Sequence, residues 1–225
     1  MAADRRHLSE LDAQLARMRV AYDTGGLDEA DLAGTWYEQF ASWLDDALAA
    51  GIPEPNAMVL GTAGADGLPS TRIVLAKGFD AQGVVFYTNL TSEKMQALNA
   101  TPFAAVTFPW IALHRQVHLR GPVELLTPEQ TIPYWQARPR GAQLGAWASA
   151  QSTVVPDRRA LDLALEHAAA RFASAGQVPL PPHWGGVRIR PVSAEFWQGR
   201  PDRMHDRLRY RIAANGQWQV VRLAP

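Results

Sequence analysis

Between Glu195 and Arg211 the chain reads EFWQGRPDRMHDRLRYR, which places five arginines and a histidine among aromatic and acidic residues. Guanidinium forks match the oxygens of phosphate and carboxylate, so the chemistry this stretch can do is anion recognition. Arg203, His205, Arg207, Arg209 and Arg211 occupy odd positions, whereas Leu208, Tyr210 and Ile212 occupy even ones. Side chains alternate along a strand, so a strand here carries its cations on one face and its apolar residues on the other. Such a face is either solvated or an anion site, and these residues alone leave both open. A metal site is a poor fit, because His205 has no second histidine nearby and the arginines repel cations.

Other stretches add donors of the same kind. TRIVLAK holds Arg72 and Lys77, which by parity point to opposite faces of a strand unless a bulge intervenes. They serve an anion or lie as snorkelling cations on an edge strand. YTNLTSEK places Tyr87, Thr88 and Lys94 where a strand passes into a helix, whose first amides favour phosphate or take an ordinary cap from Thr91 or Ser92. HRQVH offers His114 and His118 with Gln116 between them, but on a strand the two histidines are a weak metal pair. Gln116 suits the polar edge of a flavin or base, or a structural role. YWQARPRGAQLGAW sets Tyr134, Arg138 and Arg140 near a helix end followed by a glycine-rich turn. Arg138 there either caps the last carbonyls or binds an anion. No Ser-His-Asp order or carboxylate pair supports hydrolysis. Cations and neutral donors scattered over one chain suit a ligand with two phosphates and a planar ring better than a polymer.

Composition narrows the classes. The 225 residues contain 22 Lys plus Arg and 22 Asp plus Glu, and this zero net charge argues against a nucleic-acid partner. Without cysteine there is no disulfide, thiolate nucleophile or cysteine-ligated zinc. The first residues are polar and no run is long enough to span a bilayer, so the expectation is a cytoplasmic protein with no membrane partner.

The elements that must position these residues are readable from periodicity. Leu11, Leu15, Met18 and Tyr22 mark an amphipathic helix closed by TGGL. TWYE at Thr35 is a capping box opening a second helix with Trp36, Phe40, Trp43, Leu44 and Leu48 on one face, stopped at Gly51. From Ala57 onward AMVLGTA, TRIVLAKGF, GVVFYTNL, FAAVTFPW and RQVHLRGPVELL read as strands, and VRIRPVSAEFW, DRLRYRIA and QWQVVRL close the chain. Helices are expected over 92–100 and 127–138 and through DRRALDLALEHAAARFA. Many short-linked strands predict a mainly β, α+β fold: an antiparallel barrel or sandwich with peripheral helices.

Taken together, GGL, EPNAM, TRIVLAK, VVFYTNL, FPW, RQVHLRG, YWQARPRGAQLGAWAS, QS, WGG, EFWQG, RMHDR and the terminal RLAP resemble, in order and spacing, the pyridoxine (pyridoxamine) 5'-phosphate oxidase family. The resemblance runs from about Arg19 to the C-terminus. It implies a homodimeric FMN-binding split β-barrel, with residues 1–52 a helical extension and substrate lid, and 53–225 the barrel with inserted helices and a C-terminal dimerisation hairpin. The implied FMN contacts are Arg72, Ile73, Lys77, Tyr87, Thr88, Lys94, Gln116, Gln151, Ser152, Trp197 and Arg207. The implied substrate contacts are Arg19, Tyr22, Lys77, Tyr134, Arg138, Arg203 and His205, with Arg203 and His205 the catalytic pair and no metal.

The implied reaction oxidises pyridoxamine or pyridoxine 5'-phosphate to pyridoxal 5'-phosphate, with O2 as acceptor and H2O2 released. Alternatives are a flavin oxidase of the phenazine-biosynthesis type, a non-catalytic flavin- or pyridoxal-phosphate-binding protein, and a deazaflavin-using split barrel. Two departures from the family pattern bear on affinity. Glu93 stands between Ser92 and Lys94 where a cation is usual, and Ala142 stands where a serine often touches the substrate phosphate.

Overall fold

The computed structural model describes residues 2–18, 21–22 and 25–225; Arg19 lies outside the described residues. Helices α1 (Ala2–Arg17) and α2 (Trp36–Ala49) precede the strands β1 (Ala57–Ala63), β2 (Pro69–Leu75), β3 (Gly78–Asp80) and β4 (Gly83–Asn89). Helix α3 (Glu93–Ala100), strands β5 (Phe103–Trp110) and β6 (Arg115–Leu125), and helices α4 (Pro128–Ala137), α5 (Arg140–Ala148) and α6 (Arg158–Arg171) follow. Strands β7 (Trp184–Ile189), β8 (Ser193–Gln198), β9 (Asp206–Ile212) and β10 (Trp218–Arg222) complete the chain. No described helix is long and apolar enough to cross a membrane.

The strands form one antiparallel system ordered β10-β9-β8-β6-β5-β1-β2, from which β7, β4 and β3 branch. The branch point is β6. It pairs with β5 from Arg115 to Pro122 and with β8 from Arg115 to Arg120, and its last part, Val123 to Leu125, pairs with β7. Gly121 and Pro122 sit between the β8 and β7 pairings. A side chain on Gly121 would collide with the backbone of Arg190, and proline cannot extend a central ladder, so the strand changes partners there. The result is a split antiparallel barrel with helices packed around it.

Period-two alternation fixes which face is inside. In β1, β5 and β9 the residues Met58, Leu60, Val106, Phe108, Leu208 and Tyr210 are fully buried, while their neighbours are partly or wholly open. Helix α2 closes this core with Trp36, Phe40 and Trp43. Phe40 lies 4.8 Å from Phe108 and 5.9 Å from Trp110, ring centre to ring centre. Thr35 caps α2 by accepting from the Glu38 amide at 3.3 Å, and its hydroxyl donates to the Glu38 carboxylate at 2.7 Å. The glutamate therefore holds the cap's hydroxyl, where the capping-box pattern predicted its backbone amide. A smaller cluster, Trp135, Phe172, Val178 and Trp184, joins α4 and α6 to β7.

Three expectations from periodicity give way. Helix α1 ends at Arg17, so Tyr22 lies beyond it, and Leu11 and Leu15 remain exposed because no described element covers their stripe. The glycine-rich segment after Arg140 is helix α5, with Gly141 and Gly145 inside it; burial of Gln143 and contact with α6 outweigh their poor propensity. On α6, Leu161 and Leu165 are exposed and only Ala168, with the capping Phe172, is buried.

The burial contrast predicts a stability contrast. Phe40→Ala lowers unfolding stability by about 3–5 kcal/mol in urea titration. Leu15→Ala, on the uncovered stripe of α1, changes it by less than about 0.5 kcal/mol.

Candidate functional site

A cleft of about 840 Å³ opens along the edge strand β2. Its lining includes four cations, Arg72, Lys77, Lys94 and Arg138, against one carboxylate, Glu93. Among the described residues none of these five charged groups forms an ion pair. Arg72 and Lys77 share the cleft although parity sends them apart. The ladder with β1 ends at Leu75; the Ala76 amide then donates to Asn56 O, and that of Lys77 to Val85 O on β4. This change of partner breaks the alternation.

Around Lys94 the cleft is built from neutral acceptors. Its Nζ donates to Gln151 Oε1 at 2.8 Å and to Thr88 Oγ1 and Ser92 Oγ at 3.2 Å each. Ser92 stands at the N-cap of α3 but makes no capping bond, because its hydroxyl donates to Asn89 O at 2.7 Å and receives Lys94. Asn89 Nδ2 donates to Ser149 O at 3.2 Å, which carries the loop of Gln151 and Ser152 to this place. Burial, with the charge of Arg72 beside it, pushes the Lys94 ammonium below its usual range, and Glu93 opposes that shift. Arg72 is likewise pushed down by burial. Its guanidinium donates to Leu60 O, Thr62 Oγ1, and the backbone and hydroxyl of Ser70, none of them charged. Glu93 lines the cleft rather than turning away from it.

A second group stands on α4 and β7. Tyr87 stacks on Tyr134 at 4.1 Å and on Trp184 at 5.4 Å, with all three rings nearly parallel. Gly186 permits this, since a Cβ there would meet the Tyr87 ring at 2.9 Å. Arg138 lies 4.8 Å over Trp184, and its Nη2 donates to Ala142 O at 3.1 Å. Its Nε is buried with no partner among the described residues. Ala142 also lines the cleft.

The remaining predicted residues gather elsewhere. Trp197 on β8 is paired in register with Gln116 on β6 and Arg207 on β9. The His205 ring lies 4.8 Å from Trp197 and 5.6 Å from Tyr22, and Tyr22 lies 4.3 Å from His114. Gly199 lets Tyr22 in, because a Cβ there would stand 2.8 Å from its ring. Arg203 and His205 do not belong to the strand face that parity assigned them. Strand β9 begins at Asp206, and both precede it, Arg203 in a tight turn with Asp202 and Arg203 at φ 55° and 60°. Asp206 holds this turn by accepting from the Leu27 amide at 3.0 Å, Arg200 at 3.3 Å and Arg222 at 2.7 Å. His114 and His118 separate: His114 ends a left-handed turn, and His118 meets Thr107 Oγ1 at 3.1 Å. Arg209, on the cationic face of β9, is bound to Glu195.

Strands β2 and β8 have β1, β5 and β6 between them, about 19 Å along a sheet of normal spacing. The cleft residues and the Trp197 group therefore form two separate constellations on one chain.

Residues 44–172 match the family model described as pyridoxamine 5'-phosphate oxidase, and residues 184–225 match the pyridoxine 5'-phosphate oxidase C-terminal dimerisation region. The chain belongs to the pyridoxamine 5'-phosphate oxidase family. It is 61% identical over 214 residues to a pyridoxine/pyridoxamine 5'-phosphate oxidase from Saccharopolyspora erythraea, covering 95% of this chain and 96% of that one. A relative of the same name from Synechocystis sp. is 50% identical, covering 94% and 98%. Among solved structures, PhzG from Burkholderia lata, in complex with tetrahydrophenazine-1-carboxylic acid, superposes with TM-score 0.84 at 30% identity over 92% of this chain and 100% of that one. These relatives support an oxidoreductase, and the family is one of flavin oxidases.

Trp184 is a cleft residue that the reading of separate motifs did not single out; its signal was the WGG stretch, where a large ring precedes two glycines in a strand. Lys94→Met tests whether its charge serves a ligand. Without ligand, the variant's unfolding stability stays within about 1 kcal/mol of the parent, since an ammonium bound only to neutral acceptors adds little. Its affinity for phosphate-bearing ligands falls at least about tenfold by titration calorimetry.

Proposed function

We propose that the protein oxidises pyridoxamine 5'-phosphate and pyridoxine 5'-phosphate to pyridoxal 5'-phosphate, using FMN and O2 and releasing H2O2. The observation that carries this reading is the cleft with four cations and, among the described residues, no ion pair, which fits a cofactor and a substrate each bearing a phosphate. Arg72, Lys94, Thr88, Gln151 and Ser152 form the subsite for the FMN phosphate. Lys77, Tyr134 and Arg138, all of which line the cleft, form the one for the substrate phosphate.

The separation of the two groups across the sheet bears on assembly. In a homodimer with two-fold symmetry, the cleft of one chain faces the Trp197, Arg203 and His205 group of its partner, giving two identical composite sites. The match to a dimerisation region supports this arrangement.

When bound, FMN supplies the two-electron acceptor that O2 regenerates. The chain's own residues do the rest. Phosphate anchoring by Lys77, Tyr134 and Arg138 fixes the substrate's position and limits its rotation, which is the proximity contribution. The His205 Nδ1 accepts the Arg200 amide at 3.1 Å, so a neutral ring carries its proton on Nε2 and presents it as a donor to substrate oxygen. Arg203, held in its left-handed turn, stabilises negative charge that develops on the substrate. Tyr22 packs against His205 and excludes water from that side.

Reconstitution with FMN followed by pyridoxamine 5'-phosphate yields aldehyde and peroxide in equal amounts; a protein that takes up no FMN overturns the reading. The likeness to PhzG makes a tetrahydrophenazine carboxylate the competing substrate, and faster turnover of that compound would replace the proposal. Arg203→Ala lowers kcat about 100-fold or more while FMN content stands. Mixing Lys94→Met chains with Arg203→Ala chains, after dissociation and reassembly, restores about a quarter of parental activity, because each mixed dimer has one intact composite site. No recovery would show that each site belongs to a single chain.

A further inference from the structure

Glu195 is the carboxylate on the outer face of β8, and it is 5% exposed. Register pairs it with His118 on β6 and Arg209 on β9, one step along the same face from the Trp197 and Arg207 pair. Its Oε1 accepts from Arg207 Nε at 2.7 Å, and its Oε2 accepts from Arg209 Nε at 3.1 Å and Nη2 at 2.6 Å. Burial alone would push this carboxyl up, but the bonds and charges of Arg207 and Arg209 outweigh it and hold the group below the usual carboxylate range.

The bonding of Arg207 is divided by atom. Nε is held by Glu195 and Nη1 by Ala224 O at 3.1 Å, which leaves Nη2 without a partner among the described residues. The backbone repeats the anchoring, since the Leu223 amide donates to Arg207 O at 2.9 Å. A long arginine side chain ordinarily loses rotamer freedom when it takes up a ligand. Here two of its nitrogens are already fixed.

We infer that Glu195 is a positioning residue for cofactor binding: it acts through Arg207, fixing its guanidinium so that the free Nη2 edge meets FMN, and Arg209 serves to balance its charge. This rests on the proposed FMN-dependent function and extends it to a residue that touches neither cofactor nor substrate.

The test is a cycle of Glu195→Gln, Arg207→Ala and the double variant, with Arg209→Ala beside it. Dissociation constants for FMN come from quenching of flavin fluorescence, and kcat and KM are measured at saturating FMN. Glu195→Gln keeps the volume and loses the charge. It raises the FMN dissociation constant about tenfold, leaves kcat within about twofold, and adds nothing in the Arg207→Ala background. Arg209→Ala moves the constant by no more than about twofold. If the Glu195 and Arg207 effects simply add, or if Arg209→Ala matches Glu195→Gln, the inference is overturned. Should Glu195→Gln fail to fold, Glu195→Asp reads the same contact: the withdrawn carboxylate weakens FMN binding while kcat stands, and unchanged binding overturns the inference. A parent protein that takes up no FMN instead sinks the functional reading beneath it.

Discussion

Placing positive charge in a cleft without a carboxylate partner is the constraint on which the rest of this structure depends. Desolvating an ammonium or guanidinium costs free energy, and the chain offsets that cost at Lys94 and Arg72 with neutral oxygens alone. Those oxygens come from β1, β2, β4, the start of α3 and the loop after α5. Each must be in register for the cations to be solvated by protein, so the barrel's ladders serve the cleft as much as the core. The surplus charge remains available to an anion.

The opposite end of the sheet handles charge differently. Around Trp197 the arginines are met by acids: Glu195 takes Arg207 and Arg209, and Asp206 takes Arg200 and Arg222. Here charge is spent on holding geometry. Asp206 ties the turn of Arg203 to the backbone of Leu27, and Arg222 adds Glu29 at 2.6 Å, so the N-terminal segment and the last strand brace one turn. Two consecutive left-handed residues other than glycine cost about 1–3 kcal/mol each, and they persist where surrounding contacts over-determine them.

Much of this was legible in the sequence because it follows period and type. Alternation gave the two faces of β9 from Arg207 to Tyr210, and the cap expected at Thr35 opens α2, its hydroxyl accepting from the Glu38 amide. The misses have physical causes. Parity failed at Lys77, since the chain changes strand partners after Leu75, and it failed at Arg203 and His205, where a strained turn precedes β9. Helix α5 was hidden by glycines that tertiary contact overrides. Glu195 lay within the arginine-rich stretch from the start, yet its role depends on cross-strand register, which no single strand reveals.

Two constellations four strands apart also tie cofactor affinity to assembly. On the proposed dimer, the phosphate subsite and the Trp197 group that completes the site belong to different chains. A ligand held by both binds the dimer better than the monomer, and by linkage it must stabilise the dimer by the same free energy. The ladder that orders Arg207 is then part of that coupling. Its register with Trp197 on β8 and its tie to Ala224 near the chain's end bring the edge hairpin into the geometry of the shared site. On the proposed dimer, with its interface on this hairpin, the contacts that build the interface and those that fix a donor for the ligand are drawn from the same three strands.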